Sequence, residues 1–162
     1  MINKTDQHFL ERAVALAEQA VNAGDEPFGS VLVSSRGKVL FEDRNRVANG
    51  DHTQHPEFSI ARWAAQNLTE QDRAESVVYT SGEHCPMCSA AHAWVGLGRI
   101  VYASSSEQLG AWLRELGVPP APVNTLSINA VAPGLQVEGP VSKFAERIRQ
   151  LHATLHGKRV DS

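Results

Sequence analysis

Two short stretches of the chain constrain its fold most, because their side chains can act together only if they meet. The first is His55-Pro56-Glu57, and the second is Cys85-Pro86-Met87-Cys88. One histidine nitrogen and two cysteine sulfurs can supply three ligands to a tetrahedral zinc ion, which leaves the fourth position for water or a substrate. The segment between the stretches is long enough to form a helix, a loop and a strand that return the chain to one point.

Each stretch has the features of a helix start. Proline is tolerated in the first turn of a helix, so Pro56 and Pro86 predict two helices, the second ending at Gly96. The unpaired N–H groups and the dipole at a helix N-terminus lower the pKa of a thiol, and cysteine binds metal as the thiolate. The spacing of Cys85 and Cys88 places both sulfurs on one face of the second helix.

Glu57 follows the histidine closely enough for its carboxylate to move protons beside the metal without binding it. An open metal position is typical of a catalytic zinc site rather than a structural one. The residues alone therefore indicate zinc-assisted hydrolysis. A Cys-x-x-Cys pair by itself also occurs in redox proteins and in structural zinc sites, and a structural site here would need another histidine as its fourth ligand.

Composition and charge exclude several classes of function. A chain of 162 residues with 42% hydrophobic and 20% charged residues is typical of one soluble domain with a hydrophobic core. The formal charge of −3 and the scattered basic residues do not provide the basic face of a nucleic-acid binder. We also expect reduced thiols, no signal peptide and no membrane span, and therefore a cytoplasmic location.

The rest of the chain alternates helices and strands after an opening hairpin, which predicts an α/β fold of three layers with a mixed sheet. The predicted elements are a first helix capped by Thr5 or Asp6, a hairpin of 31–33 with 38–41, a polar connection over 69–75, strands over 77–80 and 100–102, a helix over 107–116, weak strands near 125–128 and 135–138, and a final helix over 141–156.

The motifs resemble those of the zinc-dependent cytidine and nucleobase deaminase superfamily, from about the first helix to Tyr102. The resemblance implies a three-layer α/β/α sandwich with a five-stranded mixed sheet, as in cytidine deaminase. It implies one Zn²⁺ per chain on His55, Cys85 and Cys88, with Glu57 as the general acid and base. The chain departs from the family at the residue before the first cysteine, which is usually proline and here is histidine.

The segments 26–31 and 79–83 look most like the guanine deaminase branch, which includes s-triazine and modified-base deaminases that act on free bases. This likeness implies that Asn45 hydrogen-bonds the base and that Glu107, beyond the fourth strand, is a second catalytic carboxylate. The alternatives are that Asn45 bonds its own turn and that Glu107 faces solvent at a helix start.

Two further residues are candidates for contact with the substrate. Phe28 could pack against the base, or it could be a core residue of the first strand. His84 adjoins a metal ligand at the expected pocket, although an exposed loop histidine is the commoner case.

We therefore predict a single deaminase domain over 1–162, whose segment 119–162 closes the pocket or a subunit interface. The predicted activity is hydrolytic release of ammonia from a free base such as guanine, a modified base or an s-triazine such as ammeline. The expected partners are this small substrate and, from the resemblance, a second copy in a homodimer, with no nucleic acid and no membrane. Two alternatives remain: a tRNA adenosine deaminase, and a non-catalytic zinc-binding domain on the same scaffold.

Overall fold

A five-stranded mixed sheet forms the middle layer of the protein in this computed structural model, which describes residues 1–160. The order across the sheet is β2-β1-β3-β4-β5, in which β1 is antiparallel to β2 and β3, and β4 is parallel to β3 and β5. The strands are β1 (Gly29–Val33), β2 (Val39–Arg44), β3 (Val77–Gly82), β4 (Ile100–Ser104) and β5 (Val137–Glu138).

Helices cover both faces of the sheet, which confirms the predicted three-layer α/β fold. Within residues 1–160, no helix combines the length and the apolarity needed to cross a bilayer. The helices are α1 (Lys4–Asn22), α2 (Pro56–Asn67), α3 (Glu70–Glu75), α4 (Pro86–Val95), α5 (Ser106–Glu115), α6 (Ile128–Val131) and α7 (Ser142–Val160).

The core lies in two parts because successive strand residues point to opposite faces of the sheet. Val31 and Tyr79 face the cluster that α1, α5 and α7 complete, with Phe144 and Ile148 from the last helix. Leu32 and its neighbours face α2 in the second cluster. The strands that carry the site are therefore buried on both sides and held in a fixed register.

The first helix begins at a capping box on Asn3, so the predicted cap at Thr5 or Asp6 was wrong. Asp6 donates its N–H to Asn3 Oδ1 at 2.9 Å and accepts the Asn3 N–H at 2.9 Å. Its carboxylate also accepts from Tyr79 and Arg99 at 2.8 to 3.1 Å. Burial raises the pKa of Asp6, but these bonds outweigh it and lower the pKa to about 2.

Two other predictions about elements were wrong. The connection over 69–75 contains α3, because the Thr69 hydroxyl accepts the Asp72 N–H at 3.1 Å and caps a turn of helix. The predicted strand near 125–128 has no neighbouring strand to pair with, and Ile128 begins α6 instead. The strand near 135–138 is present, but it is shortened to β5 because only two of its residues pair with β4.

The C-terminal part of the chain packs on the sheet face that α1 also covers. Its last helix, α7, contacts α1, β4 and α5. That the segment 119–162 closes a pocket or a subunit interface stays a prediction, and residues 161 and 162 lie outside the described part of the chain.

Candidate active site

The two proline-containing stretches begin the helices α2 and α4, as predicted, and these helices pack against each other. His55 and Cys85 are the N-cap residues and have extended backbone conformations. Neither side chain hydrogen-bonds the N–H groups of its own helix. Both side chains are therefore available to a shared ligand.

The three predicted ligands lie at the separations that a tetrahedral zinc ion requires. His55 Nδ1 is 3.5 Å from Cys85 Sγ and 3.6 Å from Cys88 Sγ. Bond lengths of about 2.1 Å to nitrogen and 2.3 Å to sulfur give a nitrogen–sulfur separation of about 3.6 Å around a tetrahedral ion. All three ligand atoms lie within 4.8 Å of one another. The donor set and its spacing fit zinc.

Hydrogen bonds within the cluster favour the thiolate form of Cys85. A hydrogen bond from Cys88 and another from His55 lower the pKa of Cys85 to about 4, although burial opposes this. The bond to Cys85 and then burial raise the pKa of Cys88, while the bond to Cys85 raises the pKa of His55 to about 9. Because His55 and Cys88 must both lose a proton to ligate, binding of a metal ion releases protons here.

Glu57 lies in the first turn of α2 and is only 5% exposed. Its Oε1 accepts hydrogen bonds from the Ser30 hydroxyl at 3.2 Å and from the Thr80 hydroxyl at 3.0 Å. Those two residues face each other on β1 and β3, and their hydroxyl oxygens are 2.8 Å apart. Burial raises the pKa of Glu57. The carboxyl is thus fixed through one oxygen and accepts a proton readily.

Asn45 follows β2 and is 1% exposed. Its Oδ1 accepts the backbone N–H of Glu26 at 3.2 Å and that of Val47 at 3.1 Å. The bond to Val47 is the local turn bond that the alternative anticipated, whereas the bond to Glu26 joins a distant part of the chain. The Nδ2 of Asn45 has no hydrogen-bond partner among residues 1–160. The side chain is therefore held by its oxygen and leaves a buried donor unused.

The other predicted substrate residues differ in burial. Phe28 is half-buried and lies against Gly82 at the end of β3. His84 is 1% exposed, so it is not the exposed loop histidine of the alternative, and its ring packs edge-on against His92 with centroids 5.3 Å apart. Desolvation lowers the pKa of His84. Their contacts with a substrate stay predictions.

Glu107 is exposed in the first turn of α5. It is not among the three residues whose ligand atoms cluster, but it lines a cavity of about 750 Å³ together with Glu83 and Tyr102. Its catalytic role stays a prediction.

Several residues that shape the site were not identified from the sequence. Ser30, Thr80 and Glu83 lie within the segments 26–31 and 79–83 that resemble the guanine deaminase branch, but no role was predicted for them. The carboxylate of Glu83 accepts the N–H groups of Ser106 at 3.0 Å and Ile128 at 2.9 Å. It thereby ties the loop that carries the cysteines to the starts of α5 and α6.

Two of the tryptophans occupy different surroundings. Trp112 belongs to the cluster beneath α1 and α7, whereas Trp94 on α4 is 89% exposed. The homodimer implied by the resemblance stays a prediction.

Comparison with known proteins gives one family match and several relatives. Residues 3–104 match the family described as the cytidine and deoxycytidylate deaminase zinc-binding region. A probable cytosine deaminase of Schizosaccharomyces pombe is 33% identical over 141 residues, which are 86% of this chain and 86% of that protein. A guanine deaminase of Bacillus subtilis is 40% identical over 98 residues, 59% of this chain and 62% of that protein.

The fold is also similar to that of a solved guanine deaminase from Nitrosomonas europaea. The TM-score is 0.70 at 20% identity, with 97% of this chain and 86% of the other covered. The tRNA-specific adenosine deaminases are among the further relatives. The predicted likeness to zinc-dependent deaminases and to their guanine deaminase branch is confirmed, as is the prediction of zinc.

We expect about one zinc ion per purified chain, held by His55, Cys85 and Cys88. Cys88→Ser should lower zinc affinity by at least about 100-fold. Mutating a residue that only orients a metal ligand already lowers metal affinity by about 10- to 100-fold, and this variant removes a ligand itself. Competition with a metal-binding dye measures this affinity. His52→Ala, which changes an exposed histidine just before α2, is the matched control and should retain zinc. Equal affinities of Cys88→Ser and the wild type would refute the ligand assignment.

Proposed function

Because the chain belongs to the cytidine and deoxycytidylate deaminase zinc-binding family, we propose that it hydrolyses a free amino-substituted nucleobase. The inferred substrates are guanine, related or modified bases, and s-triazines such as ammeline. Water adds to the amidine carbon, the carbon–nitrogen bond to the amino group breaks, and ammonia and a carbonyl product leave. The thiolate ligands must stay reduced, which suits the cytoplasm.

Glu57 is the proton carrier in this proposal. Bound zinc would supply a water molecule acidified towards neutral pH. Glu57 would carry both protons of this water in turn. The first goes to the ring nitrogen as the carbon–oxygen bond forms, and the second goes to the amino group, which departs as neutral ammonia as the carbonyl forms. Ser30 and Thr80 hold Oε1, which leaves Oε2 to exchange the proton. A pKa raised by burial suits a carboxyl that must both accept and donate.

The unpartnered Nδ2 of Asn45 is the observation that carries the proposal of a base as substrate. A buried amide donor without an acceptor costs about 1–3 kcal/mol. A carbonyl oxygen or ring nitrogen of a base would accept its hydrogen bond. Because two backbone N–H groups fix Oδ1, the donor is preorganised and requires no rearrangement to bind.

The charges beside Asn45 support a free base over a tRNA. Arg44 pairs with Asp25 at 2.7 Å, and Arg46 pairs with Asp43 at 3.2 Å. Arginines whose charge is already balanced by carboxylates contribute little to binding phosphates. A relative that matches over 141 residues is named for a free base, cytosine, and supports the same choice. The tRNA-specific relatives make a tRNA the alternative to test.

We expect ammonia release from at least one of guanine, isoguanine, cytosine and ammeline, and none from adenosine or a tRNA anticodon stem-loop. A coupled ammonia assay measures each kcat/KM. Glu57→Gln, with zinc content checked, is the control for contaminating enzymes and should lose at least about 1000-fold, within the range that a positioned acid-base group contributes. Turnover of the stem-loop alone would refute the free-base proposal, and turnover by Glu57→Gln would refute the proton carrier.

We expect Asn45→Asp to lower kcat/KM for the accepted base by about 100-fold, because it replaces the donor by a carboxylate oxygen. The variant retains an oxygen for the N–H groups of Glu26 and Val47, so the loop should keep its structure. Unchanged zinc content and thermal midpoint would verify this. Asn67→Asp, at the exposed end of α2, is the matched control. If Asn45→Asp kept wild-type kinetics, the proposed contact with the base would be refuted, and Asn45 would only stabilise its own turn.

A further inference from the structure

His152 is buried in the C-terminal helix and carries a nitrogen without a hydrogen-bond partner. The residue is 2% exposed, and its Nε2 has no hydrogen-bond partner among the side chains of residues 1–157 or the backbone of 1–160. Folded proteins leave few buried polar atoms unpaired, since each costs about 1–3 kcal/mol. The position of His152 therefore needs a reason other than stability.

The other unpaired nitrogens of this kind in the described part of the chain belong to two of the predicted substrate-binding residues. They are Nδ2 of Asn45 and both ring nitrogens of His84, which immediately precedes the predicted zinc ligand Cys85 in the sequence. His152 therefore shares an unpaired buried nitrogen with residues that were proposed to contact the base on other grounds.

Aromatic rings hold His152 in place. Its ring meets Phe28 edge-on with centroids 5.5 Å apart, and Trp112 lies 6.3 Å away. The ring of His156, one helical turn later, is nearly parallel at 6.4 Å. These contacts fix the plane of the imidazole, as is needed for a group that recognises a rigid ligand.

Phe28 connects His152 to the site. A Cβ placed on Gly82 would lie 3.0 and 3.2 Å from two carbons of the Phe28 ring, so this ring covers the end of β3 just before the cysteine loop. The Phe28 carbonyl accepts the N–H of Asn45 at 2.9 Å. His152 thus contacts Phe28, whose ring lies against the end of β3 and whose backbone carbonyl bonds Asn45.

We propose that His152 is a substrate-binding residue that determines specificity, with Nε2 hydrogen-bonded to the polar edge of the heteroaromatic base. The inference rests on the proposed function and adds α7 to the site. Burial lowers the pKa of His152 to about 3, so the ring is neutral at physiological pH. A neutral imidazole suits an uncharged base better than a phosphate, because it offers hydrogen bonds and no charge.

The test is His152→Phe, which keeps an aromatic ring against Phe28 and Trp112 but has no nitrogen. We expect KM for the accepted base to rise about 10-fold with kcat changed less than about threefold, the loss of one binding hydrogen bond. The thermal midpoint should stay equal or rise, because the variant removes an unpaired buried atom. His152→Gln, whose amide nitrogen replaces Nε2, should recover part of the affinity.

Calorimetric binding of the base to Glu57→Gln protein, with and without His152→Phe, gives a readout that does not depend on turnover. His8→Phe, which makes the same change at an exposed histidine of α1, is the matched control and should leave KM unchanged. An unchanged KM and dissociation constant in His152→Phe, with a raised thermal midpoint, would overturn this proposal alone. Absence of both binding and turnover of every base by the wild type would overturn the proposed function and this proposal together.

Discussion

The fixed carboxylate of Glu57 is the constraint on which the rest of the site depends. A carboxylate removed from water is costly unless hydrogen bonds compensate it, and here the hydroxyls of Ser30 and Thr80 do so. These residues are opposite each other on β1 and β3, on the sheet face that α2 covers. A shift of either strand by one residue would turn its hydroxyl to the other face. The register of the sheet thus determines where the Glu57 carboxyl lies.

Elements with a strong local signal were predictable from the sequence. The prolines that follow His55 and Cys85 begin α2 and α4, because proline has no N–H to lose in a first turn. The start of α1 was predicted wrongly because several nearby residues can cap a helix. The choice of Asn3 leaves Asp6 to bond Arg99, which is distant in the sequence. Which of several nearby residues caps the helix thus depends on a contact with a distant residue, and a local sequence pattern does not contain that contact.

The same distinction between local signals and long-range contacts applies to the residues of the candidate site. The zinc ligands were found because each motif is local and its residue types suit one metal. The partners of Glu57 come from the pairing of two strands, and the contact of His152 with Phe28 joins opposite ends of the chain. One sequence contains neither strand register nor tertiary contacts. The polar atoms left unpaired after folding, on Asn45, His84 and His152, are visible only in the folded chain, and the proposed contacts with the base rest on them.

Hydrolysis by water beside Glu57 is the central claim, and an isotope measurement tests it most directly. Turnover of the accepted base in water enriched in heavy oxygen, followed by mass spectrometry, shows where the new oxygen comes from. Addition of water to the amidine carbon predicts one heavy oxygen per product molecule, in the carbonyl that replaces the amino group, and one ammonia released per product. A product without the label, or ammonia released without a carbonyl product, would contradict hydrolytic deamination.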